Sequence, residues 1–155
     1  MFTNNQYGKA EEAIQFYISI FNHSKLGNIA RYPKGMEPDQ EGNVMFADFF
    51  IEHQPFIAME SARAHDFHFN EAISFIVYCD TQEEIDYYWE KLSALSNAEQ
   101  CGWLKDKYGV SRQIIPRDME VMMEKGTPEQ INRVNQAVLK MKKLILAELR
   151  KVYND

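Results

Sequence analysis

One helical pattern occurs twice in this chain. Residues 8 to 22 place Ala10, Ile14, Tyr17, Ile18 and Phe21 on one apolar stripe, with Lys9, Glu11, Glu12 and Gln15 turned to water. Seventy-one positions later the stripe returns: Ile14 falls on Ile85, Tyr17 on Tyr88, Ile18 on Trp89 and Phe21 on Leu92. All amphipathic helices share a period, so four matching positions could arise by chance. The flanking order carries the argument further, because each helix is followed by strands that end in a hairpin.

The segments on either side define that order. Lys25 to Tyr32 reads as a strand, and Pro33, Gly35 and Pro38 then break the chain into an exposed loop. Asn43 to Glu60 is aromatic and β-branched, interrupted at Glu52-His53-Gln54-Pro55, which predicts two antiparallel strands joined by a turn. Ala72 to Cys79 is a continuous apolar run, expected to be a strand buried on both faces. Thr81-Gln-Glu-Glu84 is a capping box that starts the second helix, whose stripe extends to Leu95. Cys101 to Lys105, a turn at Asp106 to Gly109, and Val110 to Ile115 closed by Pro116 complete the second hairpin. Only Met1 to Thr3 precede the first helix and its loop, so the first strand is expected to be clipped or very short.

Beyond Pro116 the chain turns helical. Met119 to Glu124 is a short piece, and Thr127-Pro-Glu-Gln130 is a second capping box with proline at the first helical position. The helix that follows is expected to run on through Ile131, Val134, Val138, Met141 and Ile145. The reading is a single α+β domain: module one at 1–61, a linker at 62–71, module two at 72–116, and a helical tail at 117–155.

Composition narrows the function classes. Lys plus Arg number 17 against 23 Asp plus Glu, a formal charge of −6. The basic residues cluster only at Lys140, Lys142, Lys143, Arg150 and Lys151, which suits a solvated helix face. No nucleic acid and no membrane surface is expected as a partner. No run of about 18 apolar residues and no basic-then-apolar leader occurs, so neither a membrane span nor a signal peptide is expected. Two cysteines, Cys79 and Cys101, are too few for a disulfide framework and suit a reducing cytoplasm.

A βαβββ unit repeated within about 120 residues resembles the vicinal oxygen chelate superfamily, the glyoxalase and bleomycin-resistance fold. Within it the chain is similar to the bacterial PhnB-like branch labelled 3-demethylubiquinone-9 3-methyltransferase. The residues that carry the resemblance are Ala10-Glu-Glu-Ala13 with Phe16-Tyr17, Asn70-Glu-Ala-Ile-Ser-Phe75, Thr81-Gln-Glu-Glu84 with Asp86-Tyr-Tyr-Trp89, and Gln100 to Ser111 with Gln113 and Pro116 behind; Val134 to Lys143 also looks like that branch. The resemblance implies two pseudo-repeated modules, a curved mixed sheet around a pocket, and a homodimer.

It also implies a divalent metal held from four strands, acting as a Lewis acid on two neighbouring substrate oxygens. By position, Glu60 is a competent ligand, but Gln113 stands where metal-binding relatives carry Glu. Ile73, Ser74 and Phe75 stand where a His is wanted, and the first strand is nearly absent. His23 and His53 fall at a helix end and a turn, and His65-Asp-Phe-His68 has weak metal-binding spacing. The metal site reads as degenerate, and no cofactor is assigned. Nor does any strand, Gly-rich turn and acidic residue form a cradle for S-adenosylmethionine. Arg112, where the branch carries Trp, is expected on the outer sheet face or at a subunit contact.

The expected function is therefore small-molecule binding in a pocket lined by Phe56, Glu60, Ser74, Phe75, Trp103 and Gln113. Glu60 would act as base or acceptor, Gln113 and Ser74 would orient ligand oxygens, and Trp103 would form an apolar wall. A metal-dependent isomerase, lyase or dioxygenase is the alternative, and an interaction module without a ligand is the third reading.

Overall fold

The chain divides into two units, Met1–His68 and Phe69–Asp155, in a computed structural model that describes every residue from Met1 to Asp155. No helix is long and apolar enough to cross a membrane.

The first unit has one α-helix, a three-stranded antiparallel sheet and a separate two-stranded parallel one. Its elements are β1 (Phe2–Thr3), α1 (Ala10–Ile20), β2 (Lys25–Arg31), β3 (Val44–Ile51), β4 (Gln54–Ala58) and β5 (Glu60–Ser61). β3 pairs antiparallel with β2 and with β4, while β1 pairs in parallel with β5, Phe2 opposite Glu60 and Thr3 opposite Ser61. The turn between β3 and β4 is made by Glu52 and His53, both in the left-handed region at φ 47° and 67°. The first strand is indeed very short. α1 buries Ala10, Ala13, Ile14, Tyr17 and Ile20. The predicted stripe missed Ala13 and Ile20, and Ile18 is only half-buried.

The second unit contains β6 (Phe75–Cys79), α2 (Gln82–Leu92), β7 (Trp103–Lys105) and β8 (Ser111–Pro116), followed by α3 (Arg117–Lys125), α4 (Pro128–Val138) and α5 (Leu146–Asn154). The strand order is β6-β8-β7, with β6 parallel and β7 antiparallel to β8. α2 contributes Ile85 and Leu92 to a core with Leu104 and Ile114, each nearly sealed from solvent. Burying a side chain of this size contributes about 1.5–3 kcal/mol. At the start of α2 the Thr81 hydroxyl accepts from the Glu84 amide, as expected, but the Glu84 carboxylate reaches one residue further back, to the Asp80 amide at 2.6 Å. Leu95 lies past the helix end and is exposed.

Two expectations are corrected here. β6 is not buried on both faces: Ile73 lies outside the strand and is 76% exposed, and Phe75, Ile76 and Tyr78 are exposed in the single chain. The apolar run belongs to an edge strand, covered on one side only by β8. Arg112 is not on an outer face but 4% exposed, with its Nε 3.4 Å from Asp106 Oδ2 and its guanidinium 5.7 Å from the Phe75 ring centroid. Asp106 anchors the hairpin as well, its Oδ1 accepting from the amides of Tyr108 and Val110 at 3.0 Å each.

The tail also departs from expectation. The Thr127 box forms in full, with hydroxyl and Gln130 side chain bonded to each other's amides and Pro128 at the first helical position. α4, however, ends at Val138 instead of running to Ile145. Lys140 and Met141 amides bond to Ala137 and Val138 carbonyls, tightening the last turn. The Met141 and Lys142 carbonyls then accept from the Cys101 and Gly102 amides at 2.8 and 2.7 Å, so they are committed outside any helix. Gly102 is fixed at φ 84°, and an added Cβ would meet the Ile114 carbonyl at 3.1 Å. Gln82 restarts the helical run: its Oε1 accepts from the Leu146 amide and its Nε2 donates to the Leu144 carbonyl. Met122, Val134, Val138, Leu144 and Leu149 form the tail's core.

Candidate functional site

Strand alternation sorts the second unit's side chains onto two faces. Leu104, Arg112 and Ile114 share one face, and Trp103, Lys105, Ser111 and Gln113 share the other. Register then arranges that second face in rows. Lys105 is directly opposite Ser111, and Trp103 and Ile76 flank Gln113 on its two sides. Ser74, just before β6, joins this face because its Oγ accepts from Gln113 Nε2 at 2.9 Å. Phe75 falls on the opposite face, against Arg112.

Both ends of the face are bounded. At the far end of β8, Ile115 packs against the tail core, as does Cys101. At the near end, Lys105 Nζ is paired with the Glu71 carboxylate, the lysine side chain 19% exposed and the glutamate 62%. Ser111 is 1% exposed and its Oγ has no hydrogen-bond partner. Such orphaned buried hydroxyls are uncommon in folded proteins. The Tyr78 hydroxyl, bonded to the Glu120 carboxylate, has its pKa raised by that bond, and Arg117 stands 5.2 Å from its ring centroid.

The first-unit candidates are placed differently. Phe56 stacks on Phe49 at 5.5 Å between centroids, on the face where Ala47 and Ala58 are buried. Glu60 is 2% exposed, and its two carboxylate oxygens accept from the Ala10 amide at 2.7 Å and the Val44 amide at 3.1 Å. This is a carboxylate at a helix N-terminus, where the dipole and free amides favour it. Ser74, Trp103 and Gln113 are therefore brought together on one sheet face, while Phe75 is on its reverse, and the half-buried Phe56 and the buried Glu60 belong to the first unit.

No group of three or more His, Cys, Asp or Glu side chains is gathered so as to hold a metal ion. The donor set a divalent metal needs is not assembled, and no chemistry is routed through one. His23 and His53 stack on each other at 5.1 Å, and His65 Nε2 lies 3.1 Å from Ser61 Oγ. Asn4 fixes that second loop, its amide nitrogen donating to the His65 and Phe67 carbonyls.

Sequence reasoning missed Lys105, Glu71 and Ser111. The alternation signal was present: Trp103-Leu104-Lys105 and Ser111-Arg112-Gln113 each put outer members on one face. What was absent was the pairing register that sets Lys105 against Ser111.

These sheets and helices form a mixed α+β protein of glyoxalase-like fold. The family model described as 3-demethylubiquinone-9 3-methyltransferase matches residues 1–115, and the chain belongs to that PhnB-like family. A Bacillus cereus structure carrying the same description and the designation PhnB protein is 40% identical, covering 71% of this chain and 92% of its own, with a TM-score of 0.64. The fold alone is shared with protein PA1353 from Pseudomonas aeruginosa, 16% identical over 71% of this chain and 90% of that one, TM-score 0.55. No curated protein matches the chain. The family match stops before α3, so the likeness read at Val134 to Lys143 lies outside the matched residues.

Proposed function

We propose that this protein binds a small polar molecule on the second unit's sheet face bearing Ser74, Trp103 and Gln113. The observation that carries the reading is the Gln113 to Ser74 hydrogen bond set directly beside the half-buried Trp103 indole. An amide and a hydroxyl that orient each other, next to an aromatic wall, are the parts a ligand site needs. Gln113 supplies a carbonyl acceptor and a second N–H, and Trp103 supplies apolar contact area.

The role of Glu60 in this reading is structural: a carboxylate already bonded to two amides holds α1 against β3 and is poorly disposed to act as a base. Methyl transfer is not the activity proposed, since the chain offers no pattern that would cradle the methyl donor. The reading further includes a cytoplasmic homodimer built from two repeats of one plan. Two free cysteines are compatible with that compartment, and in each unit the first strand pairs in parallel with the last.

The test is a thermal-shift screen of small polar compounds on the full chain, with hits titrated against wild type and Gln113→Ala. Hits whose affinity falls about tenfold in the variant support the reading, since one well-placed hydrogen bond contributes about that much. Hits indifferent to Gln113 and to Trp103→Ala would overturn it.

A further inference from the structure

We infer that the ligand of this face is a carboxylate anion, held by the Lys105 ammonium in exchange for the Glu71 carboxylate of the same chain. The inference rests on the proposed binding face and names what that face selects.

Lys105 stands in the same cross-strand row as Ser111, one row from Trp103 and Gln113. Its side chain is largely buried, so its charge is held at the sheet surface and needs a counter-ion. Glu71 provides one, yet is itself mostly in water and lies in the segment ahead of β6. An ion pair with one partner so exposed is weak, and exchanging one carboxylate for another conserves its charge. Glu71 thus shows the chemistry the position accepts.

Two further features favour an incoming carboxylate over the resident one. Ser111 Oγ, opposite Lys105, has no hydrogen-bond partner, and a ligand oxygen would give its O–H an acceptor. Trp103, one row along, offers a face to the apolar body of a ligand that Glu71 does not possess. A single lysine beside a glutamate suits a monoanion. A phosphate dianion would call for more positive charge than this row contains.

The probe is benzoate, with benzamide as its uncharged counterpart, titrated calorimetrically into the full chain and into Lys105→Gln, Glu71→Gln and Gln113→Ala. Benzoate is expected to bind at least about tenfold more tightly than benzamide, and Lys105→Gln to abolish that preference. Glu71→Gln, by removing the internal competitor, is expected to tighten benzoate several-fold, because apparent affinity scales with the fraction of sites open. The Lys105 and Glu71 side chains both reach solvent, and unchanged circular dichroism confirms that all three variants fold. Equal binding of benzoate and benzamide, with the Gln113 dependence intact, would overturn the anion inference and leave the binding face standing. No benzoate binding by either wild type or Glu71→Gln would also overturn the inference, and the compound screen decides the face independently. Benzoate binding that ignores both Lys105 and Glu71 would overturn it too.

Discussion

The Glu60 carboxylate accepts the amide of Ala10, the first residue of α1, at 2.7 Å, across 50 positions of sequence. Its second oxygen takes the Val44 amide at the start of β3, and its backbone carbonyl accepts from the Tyr32 hydroxyl at 2.9 Å. One buried side chain thereby ties a helix start to a strand start.

Removing that tie is expected to cost about 3 kcal/mol or more in Glu60→Ala, since charge-assisted bonds are lost and two buried amides are orphaned. Glu60→Gln keeps one acceptor and turns an NH2 group toward the other amide, so an intermediate loss is expected. Urea unfolding of the full chain reads both. A loss under about 1 kcal/mol in Glu60→Ala would show that the amides find other acceptors.

Asp106 and Arg112 set the second hairpin. Asp106→Ala removes the carboxylate facing a guanidinium that is 4% exposed, together with the acceptor for two turn amides. The expected cost is about 3–5 kcal/mol, that of breaking a buried pair from one side. The double variant Asp106→Ala with Arg112→Met is expected to recover part of it, because the stranded charge is gone. Additive losses in the double variant would exclude coupling between the two.

Cysteine chemistry separates the two thiols. Burial pushes the Cys79 thiol up to about 12, with the nearby Glu84 and Asp80 charges adding to the effect. At pH 8 only on the order of one in ten thousand of these groups is thiolate, the form that attacks alkylating agents. Iodoacetamide is expected to spare Cys79 in the folded chain, to modify the half-buried Cys101 first, and to reach both in urea. Peptide mass mapping distinguishes them, and Cys79 labelling at the rate of Cys101 would contradict the burial.

Much of the fold was legible because its signals are local. Thr81 and Thr127 lie three residues from the groups they cap, and both helices start where those spacings put them. Strand alternation around Trp103 and Gln113 survived as well, since a period of two follows from the backbone alone. The site was legible only in part. Ser74 and Gln113 were named as ligand-orienting residues and are bonded to each other, whereas Phe75, one residue from Ser74, is on the reverse face, as period two requires.

The amino-acid order by itself determined where α2 and α4 begin and the family to which residues 1–115 belong, because each depends on neighbours within a few positions or on the residue types themselves. Tertiary structure decided the rest. The end of α4 is set by Cys101 and Gly102 amides that claim the Met141 and Lys142 carbonyls from about 40 residues away. The fate of Glu60 was settled by amides 50 and 16 residues distant, and that of Lys105 by Glu71. A charged side chain in a fold takes whatever partner the packing brings within reach, and no local pattern encodes which one that is.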